Sequence, residues 1–286
     1  MEPIPVRHLD STKEPALSGS FGIRNVAELL NGRSMVQELH RHDHFYILVL
    51  ETGSGEHEID FVSYEVCDRS VFLMRPGQVH KIHLYPGSTG YLIQFSPALF
   101  HAQENLIRDL LRRVSHKKFC KVTSDRFGKV QEVLKHMYSE FSQRLPGFDE
   151  VIKASLNIFF IELLRQKQGE DNTAWKANGY PQEKLEKFLD LLNDEIFTRK
   201  QAGYYAKKLN LSPYRLSSIT KSLLGRTPSE IINEHIVLEA KRNLLATSMQ
   251  VNQIAYHLGY DDVSYFIRFF RKHTGTSPEF FRQNFR

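Results

Sequence analysis

Two stretches near the carboxyl end decide the fold: AKKLNLSPYRLSSITKSLLGRTP at residues 206–228 and AYHLGYDDVSYFIRFFRKHTGTSP at residues 255–278. The second stretch repeats the first at a separation of 49 residues, and at a separation of 50 after one inserted residue. The matched pairs are Ala206/Ala255, Leu209/Leu258, Leu216/Phe266, Ile219/Phe269, Gly225/Gly275 and Pro228/Pro278. Self-similarity at a fixed offset indicates one supersecondary unit that is used twice.

Each copy is expected to fold as a short helix, a turn and a second helix. In the first copy Ser212 and Pro213 suit the N-cap and the first position of the second helix, and Gly225 suits its end. In the second copy an aspartate is the N-cap and Gly275 ends the helix. Residues 227–230, Thr-Pro-Ser-Glu, form a capping box that opens a long connecting helix. The sequence therefore predicts two helix-turn-helix units.

The second helix of each unit divides into a buried side and an exposed stripe. The predicted buried residues are Leu216, Ile219 and Leu223 in the first unit and Phe266, Phe269 and Phe270 in the second. The predicted exposed residues are Tyr214, Ser217, Ser218 and Lys221 in the first unit and Ser264, Ile267, Arg268 and Arg271 in the second. A helix that enters the major groove needs such a stripe, because exposed side chains contact the base edges there.

The basic residues of these helices differ in their expected roles on double-stranded DNA. The fork of Arg268 suits a bidentate contact to guanine. Arg215, Lys221, Arg271 and Lys272 suit phosphates, which position a protein on DNA without specifying a sequence.

The net charge is concentrated in the same part of the chain. Residues 199–286 carry 14 Lys and Arg against 6 Asp and Glu, whereas the first 180 residues carry 22 of each. A positive excess confined to one domain fits a polyanionic partner, although a solvated basic surface would give the same count.

The carboxyl-terminal third resembles the AraC/XylS family of bacterial transcription regulators. The resemblance rests on GYDDVSYFIRFFRK at 259–272, GTSPEFFR at 275–282, Ile-Ala at 254–255 and AKRNLL at 240–245, and it covers about residues 185–286. It implies about seven helices, with the two recognition helices in successive turns of the major groove. It also implies a homodimer, with RNA polymerase as a further candidate partner, and a role as an activator, although repression stays open.

The first unit departs from the family pattern. Ser218 and Thr220 stand where the family often carries arginine and phenylalanine. The second unit is therefore expected to contribute more of the discrimination between base sequences.

The remaining chain predicts an α+β protein of two domains. Residues from about 20 to 96 predict short strands between Gly and Pro turns: 34–39 and 56–62 alternate, and 44–50 is rich in aromatic and branched residues. This pattern is typical of a small β-barrel or sandwich, of which we expect the barrel. Apolar residues at helical spacing over 127–141 and 152–164 predict two helices after it. We expect a cupin-like, effector-sensing and dimerisation domain at 1–168, a linker at 169–181 and the DNA-binding domain at 182–286.

Histidines in the amino-terminal block raise the question of a metal. His40, His42 and His44 precede a strand, and His80 follows in RPGQVH at 75–80; metal-binding cupins pair such residues with a nearby glutamate. The first carboxylate after Asp43 is Glu51, so no metal site and no cofactor are assigned. The predicted site binds a small organic effector, with His42, Tyr46, His80 and Tyr91 as candidate contacts.

Other function classes find less support. A metal-binding cupin enzyme with a helical appendage is the main alternative, and a module for protein interaction is another; no catalytic residue is assigned. The two cysteines, Cys67 and Cys120, have no metal-ligand spacing. No signal-peptide pattern and no apolar run of membrane-spanning length is present, so we expect a cytoplasmic protein without membrane contact.

Overall fold

A computed structural model describes residues 5–9, 20–100, 105–115, 117–166 and 180–284 of the 286-residue chain. The described residues divide into two compact units, one within residues 5–166 and the other within residues 180–284. The first unit is rich in β-sheet and the second is helical, which confirms the predicted fold class. The predicted linker lies outside the described residues up to residue 179, and the second unit begins with a helix at Tyr180. The predicted domain limits themselves stay a prediction.

The first unit contains two five-stranded sheets among its described residues. One sheet has the order β1-β3-β8-β5-β6, and the other has the order β10-β7-β4-β9-β2. The first sheet comprises β1 (Val6–Arg7), β3 (Met35–His42), β8 (Val79–Leu84), β5 (Gly55–Ile59) and β6 (Val62–Val66). The second comprises β10 (Phe119–Lys121), β7 (Ser70–Met74), β4 (Phe45–Thr52), β9 (Thr89–Phe95) and β2 (Phe21–Asn25).

Both faces of the second sheet are buried, which explains the nearly continuous apolar run of β4. Alternate residues of β4, such as Tyr46 and Leu48, join a core with Ile82 and Leu84 of the first sheet. The intervening residue Ile47 faces the opposite way, into a second core with the helices. The helices of this unit are α1 (Val26–Leu30), α2 (Asn105–Val114), α3 (Ser124–Gln143) and α4 (Phe148–Gln166).

The alternating run at 56–62 is not one strand, so this prediction was wrong. β5 ends at Ile59 and β6 begins at Val62, and the two strands pair as an antiparallel hairpin. Asp60 and Phe61 between them have φ of 49° and 66°. Positive φ at both central residues characterises the two-residue hairpin turn whose twist matches the flanking strands. The alternation of polar and apolar residues continues through this turn, so the alternation alone did not reveal the turn.

The second unit consists of seven helices within residues 180–284. They are α5 (Tyr180–Glu195), α6 (Ala202–Lys208), α7 (Pro213–Leu224), α8 (Pro228–Ala246), α9 (Val251–His257), α10 (Val263–Thr274) and α11 (Pro278–Asn284). The long helix α8 contacts both predicted helix-turn-helix units. It packs against α6 and α7, which precede it in the sequence, and against α9, α10 and α11, which follow it. In the part of the chain that the structure describes, no helix is both long and apolar enough to cross a membrane.

The helix ends follow the local sequence signals. The Ser212 side chain accepts a hydrogen bond from the backbone N–H of Arg215, and Pro213 begins α7. Thr227 and Glu230 form the reciprocal capping box at the start of α8. Gly225 ends α7 in the left-handed conformation. These caps satisfy backbone groups that a helix leaves unpaired, so α7 begins and ends, and α8 begins, where the sequence predicts.

Candidate DNA-binding surface and sensor site

The second helix of the first unit, α7, presents its predicted stripe to solvent. Tyr214, Ser218 and Lys221 are exposed and Ser217 is half-buried; the Tyr214 ring is 83% exposed. Leu216 on the other side is fully buried. We call Tyr214, Ser217, Ser218 and Lys221 the α7 face.

The second helix of the second unit, α10, repeats this arrangement. Ser264, Arg268 and Arg271 are exposed and Ile267 is half-buried, whereas Phe266 is fully buried. We call Ser264, Ile267, Arg268 and Arg271 the α10 face. Arg215 on α7 and Lys272 on α10 lie beside the two faces and are also exposed. None of the ten predicted DNA-binding residues is therefore fully buried in a core.

Two of the predicted buried residues lie elsewhere. Leu223 is 40% exposed, and Thr220 is fully buried instead. The Thr220 hydroxyl donates to the carbonyl of Ser217 one turn earlier, which satisfies it inside the core. Phe269 is only half-buried, with its ring centroid 5.7 Å from that of Tyr260. Leu223 and Phe269 lie at the edge of the buried side of their helices, between core and solvent. Periodicity alone does not separate such edge residues from the core.

The α10 face carries one competing ion pair. Arg268 lies 3.9 Å from the carboxylate of Asp262, and the two side chains are 69% and 62% exposed. The other carboxylate oxygen of Asp262 accepts from the backbone N–H of Ser264 and caps α10. Exposed pairs of this kind contribute little to stability, so the guanidinium of Arg268 can exchange this contact for a ligand at small cost.

A lysine that the sequence did not single out holds the turn before α10. Lys200 donates its ammonium to the carbonyl of Gly259 at 2.8 Å, and the same ammonium lies 4.8 Å from the centre of the Tyr260 ring. Gly259 itself has φ of 70°. The turn between α9 and α10 is thereby tied to the segment after α5. No local pattern signals a contact across 59 residues of sequence.

In the first unit, strands β3, β8 and β5 bring four histidines together. His40 and His42 alternate on β3, His80 pairs with His40 in register on β8, and His57 lies on β5. All four side chains are buried. His57 was missed in the sequence, although it occupies an inward position of the alternating run at 56–62.

The histidine rings meet through their nitrogens. His42 Nε2 lies 3.1 Å from His40 Nε2 and 2.9 Å from His80 Nε2. His57 Nε2 lies 2.9 Å from His80 Nδ1, and His40 Nδ1 lies 2.7 Å from the carbonyl oxygen of Glu38. The arrangement thus joins four rings into one chain of close nitrogen contacts.

Burial keeps these imidazoles neutral. Loss of hydration lowers the pKa of His40 to about 4, that of His57 to about 3 and that of His42 to about 2. The pKa of His80 also lies well below its ordinary value, for the same reason first and because of the neighbouring histidines second. Neutral imidazole is the form that offers a nitrogen lone pair to a ligand.

Three of the four predicted effector contacts lie together. The Tyr46 ring stacks on His42 at 5.0 Å and lies 5.2 Å from His80. Tyr91 does not join them, because it faces the helices and packs against Tyr138 at 5.5 Å. Tyr46 pairs in register with Gln94, three residues from Tyr91, and an odd separation along a strand reverses the face.

The helical domain contains two helix-turn-helix units with exposed faces, and the sheet domain contains a buried polar cluster. Together they define a DNA-binding transcription regulator controlled by an effector. Two family models match the chain: an AraC-like ligand binding domain over residues 31–140 and a helix-turn-helix domain over residues 205–284. The chain belongs to the AraC/XylS family.

Curated relatives match over most of their length. The HTH-type transcriptional activator RhaS of Escherichia coli O157:H7 (strain EC4115 / EHEC) is 25% identical over 254 residues, which cover 85% of this chain and 87% of the relative. RhaS of Pectobacterium atrosepticum is 24% identical over 244 residues, with 85% and 86% covered.

Solved structures are similar to this chain over different lengths. An AraC-type regulator from Chromobacterium violaceum is 25% identical and covers 36% of this chain and 91% of its own, with a TM-score of 0.34. ToxT from Vibrio cholerae is 16% identical and covers 92% of this chain and 98% of its own, with a TM-score of 0.44.

Proposed function

We propose that this protein binds specific double-stranded DNA through the α7 face and the α10 face. The observation that carries the proposal is that two equivalent helices each leave the same stripe outside their cores. Arg215, Lys221, Arg271 and Lys272 contact phosphates, and Arg268 contacts a base. The α10 face contributes most of the sequence discrimination, because the α7 face offers two serines and a tyrosine besides Lys221.

Replacing Arg268 by alanine is expected to weaken binding to the specific site by about 1–3 kcal/mol and to relax the preference at one base pair. The reason is that a bidentate arginine–guanine contact discriminates between bases, whereas a phosphate contact does not. Binding sites selected from a random DNA library, followed by titration of the full chain with specific and random duplexes, measure both effects.

Lys187→Ala is the control for loss of one positive charge. Lys187 lies on α5, outside both helix-turn-helix units, and pairs with Glu183 on the surface. Its replacement should leave both affinities within about twofold of the native values, since exposed pairs contribute little. An equal loss on specific and random DNA for Arg268→Ala would assign Arg268 to a phosphate and refute its role in base recognition.

We also propose that the first unit dimerises the protein, while the second binds DNA by itself. Deleting residues 1–168 is expected to leave a folded monomer that still binds DNA at low salt, whereas the full chain sediments as a dimer. The caps and the core of helices α5–α11 lie within residues 180–284, which supports independent folding. Analytical ultracentrifugation and DNA titration test both statements. A folded fragment without DNA affinity would contradict the assignment.

The relatives support the remaining parts of the proposal. Because the RhaS proteins are named transcriptional activators, we propose that this chain activates transcription, with RNA polymerase as a partner, in the bacterial cytoplasm where its DNA target lies. We propose no catalytic activity for it.

Control by an effector requires that the effector bind two states of the protein with different affinities. His42, Tyr46 and His80 are proposed to participate, since they share one site in the sheet domain. The fourth predicted contact, Tyr91, is assigned to packing against Tyr138.

A further inference from the structure

We propose that His40, His42 and His80 bind a divalent transition-metal ion, and that His57 holds His80 in the orientation that this requires. The proposal concerns the sheet domain alone, so it does not depend on how the helical domain contacts DNA.

The first step is the convergence of ligand atoms. One nitrogen of each of the three rings lies within 4.8 Å of the other two, and all three side chains are buried. Two of the separations, 3.1 Å and 2.9 Å, are close to the value of about 3.3 Å that two nitrogens adopt on a tetrahedral zinc with bonds of about 2.0–2.1 Å. A small adjustment of the rings would place all three around one ion.

The second step is a count of protons. The carbonyl oxygen of Glu38 can only accept, so His40 Nδ1 carries the proton and the neutral ring has a lone pair on Nε2. His42 Nε2 contacts two nitrogens, but it holds either one proton or one lone pair. If it donates to one neighbour, it has nothing to offer the other. If it accepts a hydrogen bond from His80, its lone pair is already used. It then faces the lone pair of His40 with no proton between the two nitrogens.

Hydrogen bonding therefore satisfies at most one of the two contacts of His42. A cation among three lone pairs satisfies both contacts of His42 Nε2 at once, although His42 Nδ1 has no partner among the described residues. This electrostatic argument distinguishes the cluster from an ordinary network of buried histidines, in which each close contact pairs one donor with one acceptor.

The third step is the support around the rings. Histidine ligands normally donate their second N–H to a carbonyl or another acceptor, which orients the ring. Glu38 provides this for His40 at 2.7 Å, and His57 Nε2 provides it for His80 at 2.9 Å. His57 is thus a positioning residue for His80. The proton of His57 then lies on Nδ1, for which no partner is present among the described residues.

The fourth step is size and chemistry. The ring centres of His40 and His80 lie 4.1 Å apart, and those of His40 and His42 lie 4.8 Å apart, so the rings are in contact and no organic molecule fits between them. Imidazole ligands favour zinc, copper, nickel or cobalt over magnesium or calcium. Within the described residues the cluster contains three histidines and no carboxylate, so a fourth coordination position is left for water or an effector atom.

Titration of the tag-free, chelator-treated full chain with Zn²⁺ and with Co²⁺ tests the proposal. We expect one ion per chain, with the visible absorption bands of four-coordinate cobalt, and with shifted Nε2 resonances for His40, His42 and His80 in the native protein. Failure of the native chain to bind one equivalent of metal would overturn the proposal, and so would binding without shifts at these nitrogens. Both measurements use the native protein, so they do not depend on the folding of any variant.

Variants separate ligation from positioning. His42→Asn should weaken metal binding at least about 100-fold. His57→Gln should weaken it about 10–100-fold while keeping one ion per chain, which is the range seen when the partner of a ligand is lost. His83→Ala is the matched control, because His83 lies on β8 as His80 does but is exposed.

The control should keep the native affinity within about twofold. Near-ultraviolet circular dichroism and the dispersed amide resonances of the sheet domain report whether that domain is folded in each variant. A folded His42→Asn chain with native metal affinity would overturn the proposal, as would an equal loss in His83→Ala. DNA binding that is intact without any metal binding would reject this proposal alone, whereas the reverse result would reject only the DNA-binding assignment.

Discussion

Raising the monovalent salt concentration from about 50 to about 200 mM is expected to weaken nonspecific DNA binding about 500-fold. Each phosphate that a lysine or arginine neutralises adds about 0.9 to the slope of log affinity against log salt. Four cations assigned to phosphates lie beside or on the two faces, and the exposed Lys207 on α6 is a fifth. Five contacts give a slope of about −4.5, and a fourfold change in salt then yields the stated loss.

Single variants measure how much each residue contributes to this slope. Lys272→Ala should make the slope shallower by about 0.9 on any DNA sequence, because it removes one phosphate contact. Arg268→Ala should leave the slope on random DNA unchanged, since its contact is assigned to a base. Lys187→Ala serves again as the control. Fluorescence anisotropy of a labelled duplex across a salt series measures all four proteins, and a native slope shallower than about −2 would contradict the DNA-binding surface.

The helical domain could be predicted well from sequence because its signals are local. Ser212, Thr227 and the glycines after α7 and α10 determine where helices begin and end through groups only a few residues away. The repeat then supplied the information that a single unit lacks. It showed that the same stripe is left outside the core twice, which neither helix alone would establish.

The sensor site could be predicted only in part, because strand pairing determines it. The HxH pattern identified His42, and the motif at 75–80 identified His80, but only the register of β3, β8 and β5 shows that His40 and His57 complete the cluster. Tyr91 was included as a candidate polar contact to the effector. Its side of β9 depends on a register that the sequence did not reveal.

The absence of a glutamate after the HxH pattern led to the expectation that no metal binds. That inference assumed that ligands must follow a known order along the chain. The structure shows a third histidine and its orienting partner on separate strands, 23 residues apart. The sequence pattern already named His40, His42 and His80, and the metal proposal adds their three-dimensional convergence.

Replacing Gly259 by alanine is expected to lower the free energy of unfolding of the helical domain by about 2–4 kcal/mol. A Cβ at this position would lie 2.1 Å from the carbonyl oxygen of Phe197, which is backbone and cannot rotate away. Such crowding costs about 1–3 kcal/mol, and the left-handed conformation of a residue with a side chain adds about 1 kcal/mol.

Gly275 provides the matched control within the same unit. Its φ of 81° is also left-handed, but a Cβ there meets no atom within 4 Å among the described residues. Gly275→Ala should therefore cost only about 1 kcal/mol. Hydrogen exchange of the α10 amides in the full chain measures both values for this domain alone, whereas global denaturation would mix two domains.

The comparison separates two reasons for a glycine at a helix end. If both variants lose the same stability, backbone conformation explains both positions and the contact with Phe197 is unimportant. If Gly259→Ala loses more, then close packing of the turn against Phe197 fixes the start of α10. Because the carbonyl of Gly259 also accepts from Lys200, displacement of this turn should reorient the α10 face as well. Specific DNA affinity should then fall further for Gly259→Ala than for Gly275→Ala at conditions where both variants remain folded.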